Sequence, residues 1–169
     1  NRNSAPERRH VVREPRVCAA VDSVSGGGYA SRIERITHDL WANEQLLYFT
    51  TPSLTRDDKH LVFLSDRGGS PNLFCRRLSD GLERQLSSNT EGFLKSYVYF
   101  DGTPYTGLGK ASPALDAERG LVYYLCGREI RVADLSGTDR ALGSYPEGQM
   151  TAFTHVSADG SRLCVPTVD

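Results

Sequence analysis

From about residue 35 onward the chain alternates short runs rich in Val, Leu, Tyr and Phe with turns of Asp, Gly, Arg and Lys. Runs of this length and composition, bounded by turn formers, predict β-strands. No segment carries apolar residues at a sustained helical period, although Arg32 to Ala42 has room for a turn or two. The expected class is all-β.

Three segments, 52–64, 113–125 and 155–165, repeat one pattern. An apolar residue (Leu54, Leu115, Val156) closes a strand, an acidic residue three positions on (Asp57, Glu118, Asp159) opens a turn, and an apolar strand resumes at Leu61, Val122 or Leu163. The physical unit is a β-hairpin whose acidic residue accepts hydrogen bonds from the turn backbone, which is a structural role. Two of the units continue, through Asn72–Leu78 and Leu82–Leu86, and through Glu129–Leu135 and Asp139–Leu142. The links Ser79-Asp80-Gly81 and Ser136-Gly137-Thr138 have the composition of tight hairpin loops. A four-stranded antiparallel unit repeated along a chain is the blade of a β-propeller. The pattern therefore predicts a partial β-propeller of about two and a half four-stranded antiparallel blades. Propellers close with four to eight blades. The expectation is thus a portion of a longer chain, with the remaining blades of that chain as its partners.

Spacing locates a candidate binding element. Leu54 and Leu115 are 61 positions apart, but Leu115 and Val156 only 41, and propeller repeats run to ~40–50 residues. The excess falls in Asn89–Lys110, an insertion that carries Tyr97, Tyr99 and Tyr105. Long loops on a rigid scaffold often bind, and exposed aromatic rings suit stacking on a sugar; covering a blade edge is the plainer role. Lys110, just ahead of the second unit, and His155, on the first strand of the third, are candidates for contacting substrate near the propeller axis. The plainer readings are a solvated lysine and a packed histidine. Gly107-Leu108-Gly109-Lys110 lacks the spacing of a phosphate loop. His38, beside Asp39, reads as a structural cap, and His10 and His60 carry no functional assignment.

Residues 1–34 read differently. Pro6, Pro15, the run Gly26-Gly27-Gly28 and little apolar periodicity predict a flexible leader, with Val11-Val12 and Val17–Val21 as short strand candidates. Residues 35–169 form the blades. Over the whole chain of 169 residues, 20 Lys and Arg stand against 21 Asp and Glu, a net charge of −1. No overall field marks a nucleic-acid or membrane partner, so an acidic ligand would need a local basic cluster. No run approaches the ~20 apolar residues of a membrane span, and no secretory signal is visible, so the expected location is the cytoplasm. Cys18, Cys75, Cys126 and Cys164 are too far apart for a zinc site or a disulfide scaffold, and read as reduced thiols.

Arg35-Ile36-Thr37-His38, Tyr48-Phe49, Pro52-Ser53-Leu54-Thr55, Leu61-Val62-Phe63 and the run Ser65 to Leu73 (SDRGGSPNL) together resemble the opening blade of the oligogalacturonate lyases, which are seven-bladed propellers. The hairpin signature itself is shared with propellers of the TolB type and of prolyl oligopeptidases. The resemblance implies an acidic oligosaccharide substrate, pectin-derived oligogalacturonide, cleaved by β-elimination with a divalent metal, manganese, held mainly by histidines. The family's His-x-His motif precedes a Pro-Ser-Phe-Thr run in the closing blade. The corresponding positions before Pro52 are Phe49 and Thr51, so the resemblance implies that metal ligands and catalytic base lie in later blades and that no catalytic or metal residue falls within this chain. The competing expectation is a non-catalytic TolB-type platform that binds a protein or peptide. A serine-peptidase propeller would need a Gly-x-Ser-x-Gly motif, which does not occur in this sequence.

Overall fold

A computed structural model describes residues 21–26, 29–33, 36, 42–48, 50–92, 94, 108, 113–151 and 154–168. The chain divides into two units, Asn1–His38 and Asp39–Asp169. In the first, β1 (Val21–Gly26) and β2 (Tyr29–Ile33) form an antiparallel hairpin with Gly26 opposite Tyr29. Part of the stretch expected as a leader is thus a hairpin. Val11-Val12 and most of Val17–Val21 lie outside the described residues.

The second unit holds two complete four-stranded antiparallel sheets. The first is β3 (Glu44–Leu46), β4 (His60–Ser65), β5 (Asn72–Arg77) and β6 (Glu83–Gln85), in that order. The second is β7 (Ala114–Asp116), β8 (Leu121–Cys126), β9 (Glu129–Asp134) and β10 (Asp139–Ser144), in chain order again. Two short pairs follow: β11 (Met150–Thr151) with β14 (Thr167–Val168), and β12 (His155–Val156) with β13 (Leu163–Cys164). No helix occurs among the described residues. Two blades and the opening hairpin of a third are as the repeat predicts.

The first strand of the first blade departs from expectation. Leu54 bridges Leu61, yet Glu44, Gln45 and Leu46 pair with Ser65, Leu64 and Phe63. The strand therefore begins eight residues before Pro52, and 47–53 leaves the ladder as an excursion. Local bonds hold it: Thr51 N–H donates to Tyr48 O at 2.8 Å and Leu47 N–H to Ser53 Oγ at 3.0 Å, while the Leu47 side chain is buried.

Both faces of the central strands are packed. On one face Val62, Leu64, Leu73 and Cys75 of the first blade meet Leu115, Val122, Tyr124 and Ala133 of the second in a single core, because side chains two apart share a face. Leu108 from the insertion is fully buried in that core, and Leu94 packs against it. A smaller cluster of Leu125 and Tyr145, with Ile130 and Val165 beside it, joins the second blade to the third unit. Fully burying each such side chain contributes roughly 1.5–3 kcal/mol.

Candidate functional site

The three repeated hairpins have four-residue loops, 56–59, 117–120 and 158–161, and the structure brings them together in sequence. Arg56 N–H donates to Ala117 O at 2.9 Å, tying the first loop to the second. Gly160 lies so close to the Asp116–Arg119 ion pair that a Cβ there would stand 2.3 Å from Asp116 Oδ2, tying the third loop to the second. β12 lies against β7, as first strands of successive blades do around an axis.

Asp57 and Asp159 act as the sequence predicts. Asp57 accepts from Thr55 Oγ1 at 2.7 Å and from Lys59 N–H at 3.2 Å; Asp159 accepts from Ser157 Oγ at 2.6 Å and Ser161 N–H at 3.0 Å. The hydroxyl of Thr55 is the main reason that Asp57 is held down at about 2, and the hydroxyl of Ser157 does the same for Asp159, also about 2. In the second hairpin the expectation fails in detail. The carboxylate that accepts the turn amides is Asp116, from Glu118 N–H at 3.2 Å and Arg119 N–H at 3.0 Å, and not Glu118.

Of the residues proposed from sequence to meet a ligand, His155 can be placed. It is exposed on β12, paired across the ladder with Cys164, beside an open cleft of about 390 Å³ to which Ser157 and Arg162 also contribute. His155 is the first residue of β12, at the start of that strand. Lys110, Tyr97, Tyr99 and Tyr105 lie outside the described residues, as do His10 and His38. His60 opens β4, opposite Arg77.

A cluster that the sequence reading missed stands on the first blade, on the face opposite the shared core. Phe63 and Phe74 pair across β4 and β5 with ring centroids 5.8 Å apart. The Arg67 guanidinium lies over both, 4.4 Å from the Phe74 centroid and 5.5 Å from that of Phe63. Arg67 also pairs with Glu83 at 2.5 Å and with Glu44, and Arg76 reaches Glu83 at 2.9 Å. Burial disfavours the charge on Arg67, but Glu83 and Glu44 outweigh it and raise its pKa. The only advance signal was Arg67 in the Ser65–Leu73 run; its partners are 16 and 23 residues away on other strands.

Among the described residues, no group of three or more His, Cys, Asp or Glu side chains is placed to hold a metal ion, so these residues do not fit manganese. Cys75, Cys126 and Cys164 are free. Burial pushes the Cys75 thiol up to about 11 and raises that of Cys126, so neither is a thiolate at neutral pH.

Two four-stranded antiparallel sheets followed by the opening hairpin of a third, packed through successive faces, define this part of the chain as a portion of a β-propeller. It shares that fold with an oligogalacturonate lyase solved in complex with manganese, at a TM-score of 0.64 and 19% identity, over 87% of this chain and 35% of that one. It is likewise similar to oligogalacturonate lyase from Vibrio parahaemolyticus, at a TM-score of 0.61 and 17% identity, over 84% of this chain and 34% of the other. The chain thus spans about a third of the length of the solved structures it matches. No protein-family model matches it, and no curated protein does.

Proposed function

We propose that these blades belong to an oligogalacturonate lyase, acting on pectin-derived oligogalacturonides by β-elimination. The supporting observation is the fold shared with the manganese-bound lyase over 87% of the chain, in a segment whose Ser65–Leu73 run resembles that family. In such a reaction a base removes the proton α to the uronate carboxylate, the bond to the glycosidic oxygen breaks, and a carbon–carbon double bond remains. A divalent cation at the carboxylate would stabilise the charge that develops. On this reading its ligands and the base belong to other blades, and the present ones supply the rigid wall that carries the insertion at 89–110.

The test is an assay of the full-length protein on oligogalacturonate, with and without manganese, following ultraviolet absorbance of the unsaturated product. Metal-dependent growth of absorbance is the expected result. A flat trace from folded protein would overturn the lyase reading in favour of a TolB-type binding platform.

A further inference from the structure

The third hairpin departs from the first two on one face. His155 stands opposite Cys164, and Ser157 N–H donates to Arg162 O at 2.9 Å, so alternation gathers His155, Ser157, Arg162 and Cys164 on a single side. The same positions carry Ser53, Thr55, His60 and Val62 in the first hairpin, and Ala114, Asp116, Leu121 and Tyr123 in the second. In those two the face is covered, with Thr55, Val62, Ala114 and Asp116 all buried. In the third, His155, Arg162 and Cys164 are exposed and line the cleft of about 390 Å³.

The positive charge on this face is unanswered. Among the described residues the Arg162 guanidinium has no ion-pair or hydrogen-bond partner, and only its backbone amide is engaged, with Ser157 Oγ. Asp159 is the only acid between 155 and 165. Its carboxylate is taken by Ser157 Oγ at 2.6 Å and by the amide and hydroxyl of Ser161 at 3.0 and 2.9 Å. Packing protein flat against an unpaired guanidinium is costly, whereas an anion entering from solution answers it. The guanidinium offers a fork of N–H donors to a planar carboxylate, and an imidazole donates from at least one ring nitrogen in either protonation state. His155 and Arg162 are diagonal neighbours across the ladder, about 7–8 Å apart at the backbone, so both side chains reach one ligand held between them. A chain with a net charge of −1 needs such a local basic pair to hold an acidic ligand.

We propose that His155 and Arg162 bind the carboxylate of a uronate sugar in the cleft of the third hairpin. The carboxylate follows from the face itself; the sugar follows from the lyase reading of this protein, on which that part of the inference rests. Val156 and Leu163 also line the cleft and offer apolar surface to the C–H groups of a sugar ring.

Cys164 reports occupancy, because it is an exposed free thiol opposite His155 on the same face. The experiment treats the full-length protein with iodoacetamide and follows, by mass spectrometry, alkylation of the peptide that carries Cys164 as galacturonate or galactose is added. The two sugars differ in the carboxylate, and neither has a glycosidic bond to break, so turnover plays no part. Galacturonate should slow alkylation and galactose should not. Arg162→Gln should raise the galacturonate needed for half-protection about tenfold, as expected for loss of a charge-assisted hydrogen bond. Should Arg162→Gln not fold, His155→Ala should weaken protection in the same direction. Equal slowing by galactose, no slowing by galacturonate, or undiminished protection in the folded variant would overturn the proposal. So would a Cys164 that reacts in urea but not in the folded protein, since the face would then be closed. Equal protection by inorganic phosphate would make the site one for any small anion and sink the uronate assignment. Protection without lyase turnover would leave this site standing while the lyase reading fell, and turnover without protection would do the reverse.

Discussion

The first and third hairpins and the second hairpin perform the same reversal with different chemistry. In the first and third, the amide of the third loop residue closes a tight turn onto the residue before the loop: Asp58 N–H to Thr55 O at 3.0 Å, and Gly160 N–H to Ser157 O at 2.8 Å. The left-handed residue is accordingly third in the loop, Asp58 at φ 54° and Gly160 at φ 65°. In the second, Gly120 N–H closes a wider turn onto Asp116 O at 2.9 Å, and the left-handed residue is fourth, Gly120 at φ 64°. The carboxylate moves with the turn. Where a hydroxyl precedes the loop (Thr55, Ser157), the acid sits inside it; where an acid precedes the loop (Asp116), the acid inside it, Glu118, is released from capping. A repeat can thus conserve reversal and loop length while exchanging the groups that satisfy the turn amides.

The comparison breaks most sharply at Gly160. A Cβ there meets Asp116 Oδ2 at 2.3 Å and the Arg119 guanidinium closer still, at a left-handed backbone angle that disfavours any side chain. Gly160→Ala should cost about 2–3 kcal/mol, from the backbone strain plus the displaced ion pair. Gly143→Ala is the control, since nothing lies within 4 Å of its Cβ position and its φ is ordinary. Urea melts of the two variants decide it. Equal midpoints would mean that the third loop does not rest on the second.

Next in size is the exchange of acids. Asp116→Ala removes the acceptor of two turn amides and of Arg119, on a side chain only 5% exposed, and should cost about 1–2 kcal/mol. Glu118→Ala should stay within about 0.5 kcal/mol. Reversal of that order would restore the assignment made from spacing. Acid titration separates the same groups. Asp57 and Asp159 are depressed from 3.8 to about 2, so their contribution is complete above pH 3.8 and is lost as pH falls toward 2. Carboxyl chemical shifts recorded against pH should place both midpoints near 2, and midpoints near 3.8 would contradict the hydroxyl caps.

The sequence shows most clearly what short-range chemistry determines. Strands β5, β6, β9 and β10 fall within a residue or two of the apolar runs, and Gly81 and Gly137 take the positive φ that their loops require. The start of the first blade was not legible, because Glu44–Leu46 is a strand only by pairing with residues some twenty positions on; Asn43 is held there by two 2.7 Å bonds to Asp66. The Arg67 network is hidden for the same reason, its members being adjacent only once the four strands of the blade are aligned. For the candidate site, spacing put His155 on a first strand, which is where it lies, but could not give the side its ring faces or that Cys164 stands opposite. The contact of Gly160 with the Asp116–Arg119 ion pair was equally invisible, since it joins two loops about forty residues apart.

The smallest effect sharpens the comparison from the other direction. Asp58 occupies a left-handed position that its counterpart in the third hairpin gives to glycine. Aspartate tolerates that region better than most residues but at a cost, whereas glycine adopts it freely and gives up little, because the Asp57 carboxylate makes the capping bonds. Relief of strain and the greater entropy of an unfolded glycine oppose each other, so Asp58→Gly should stabilise by no more than about 0.5 kcal/mol, while Asp58→Val should destabilise by about 1–2 kcal/mol. The same pair of substitutions at Arg119, fourth-position glycine's neighbour in the second hairpin, should behave differently: no positive φ is relieved there, and either change removes the guanidinium that bonds Asp116. If Arg119→Gly proved as harmless as Asp58→Gly, the two turns would share one geometry after all.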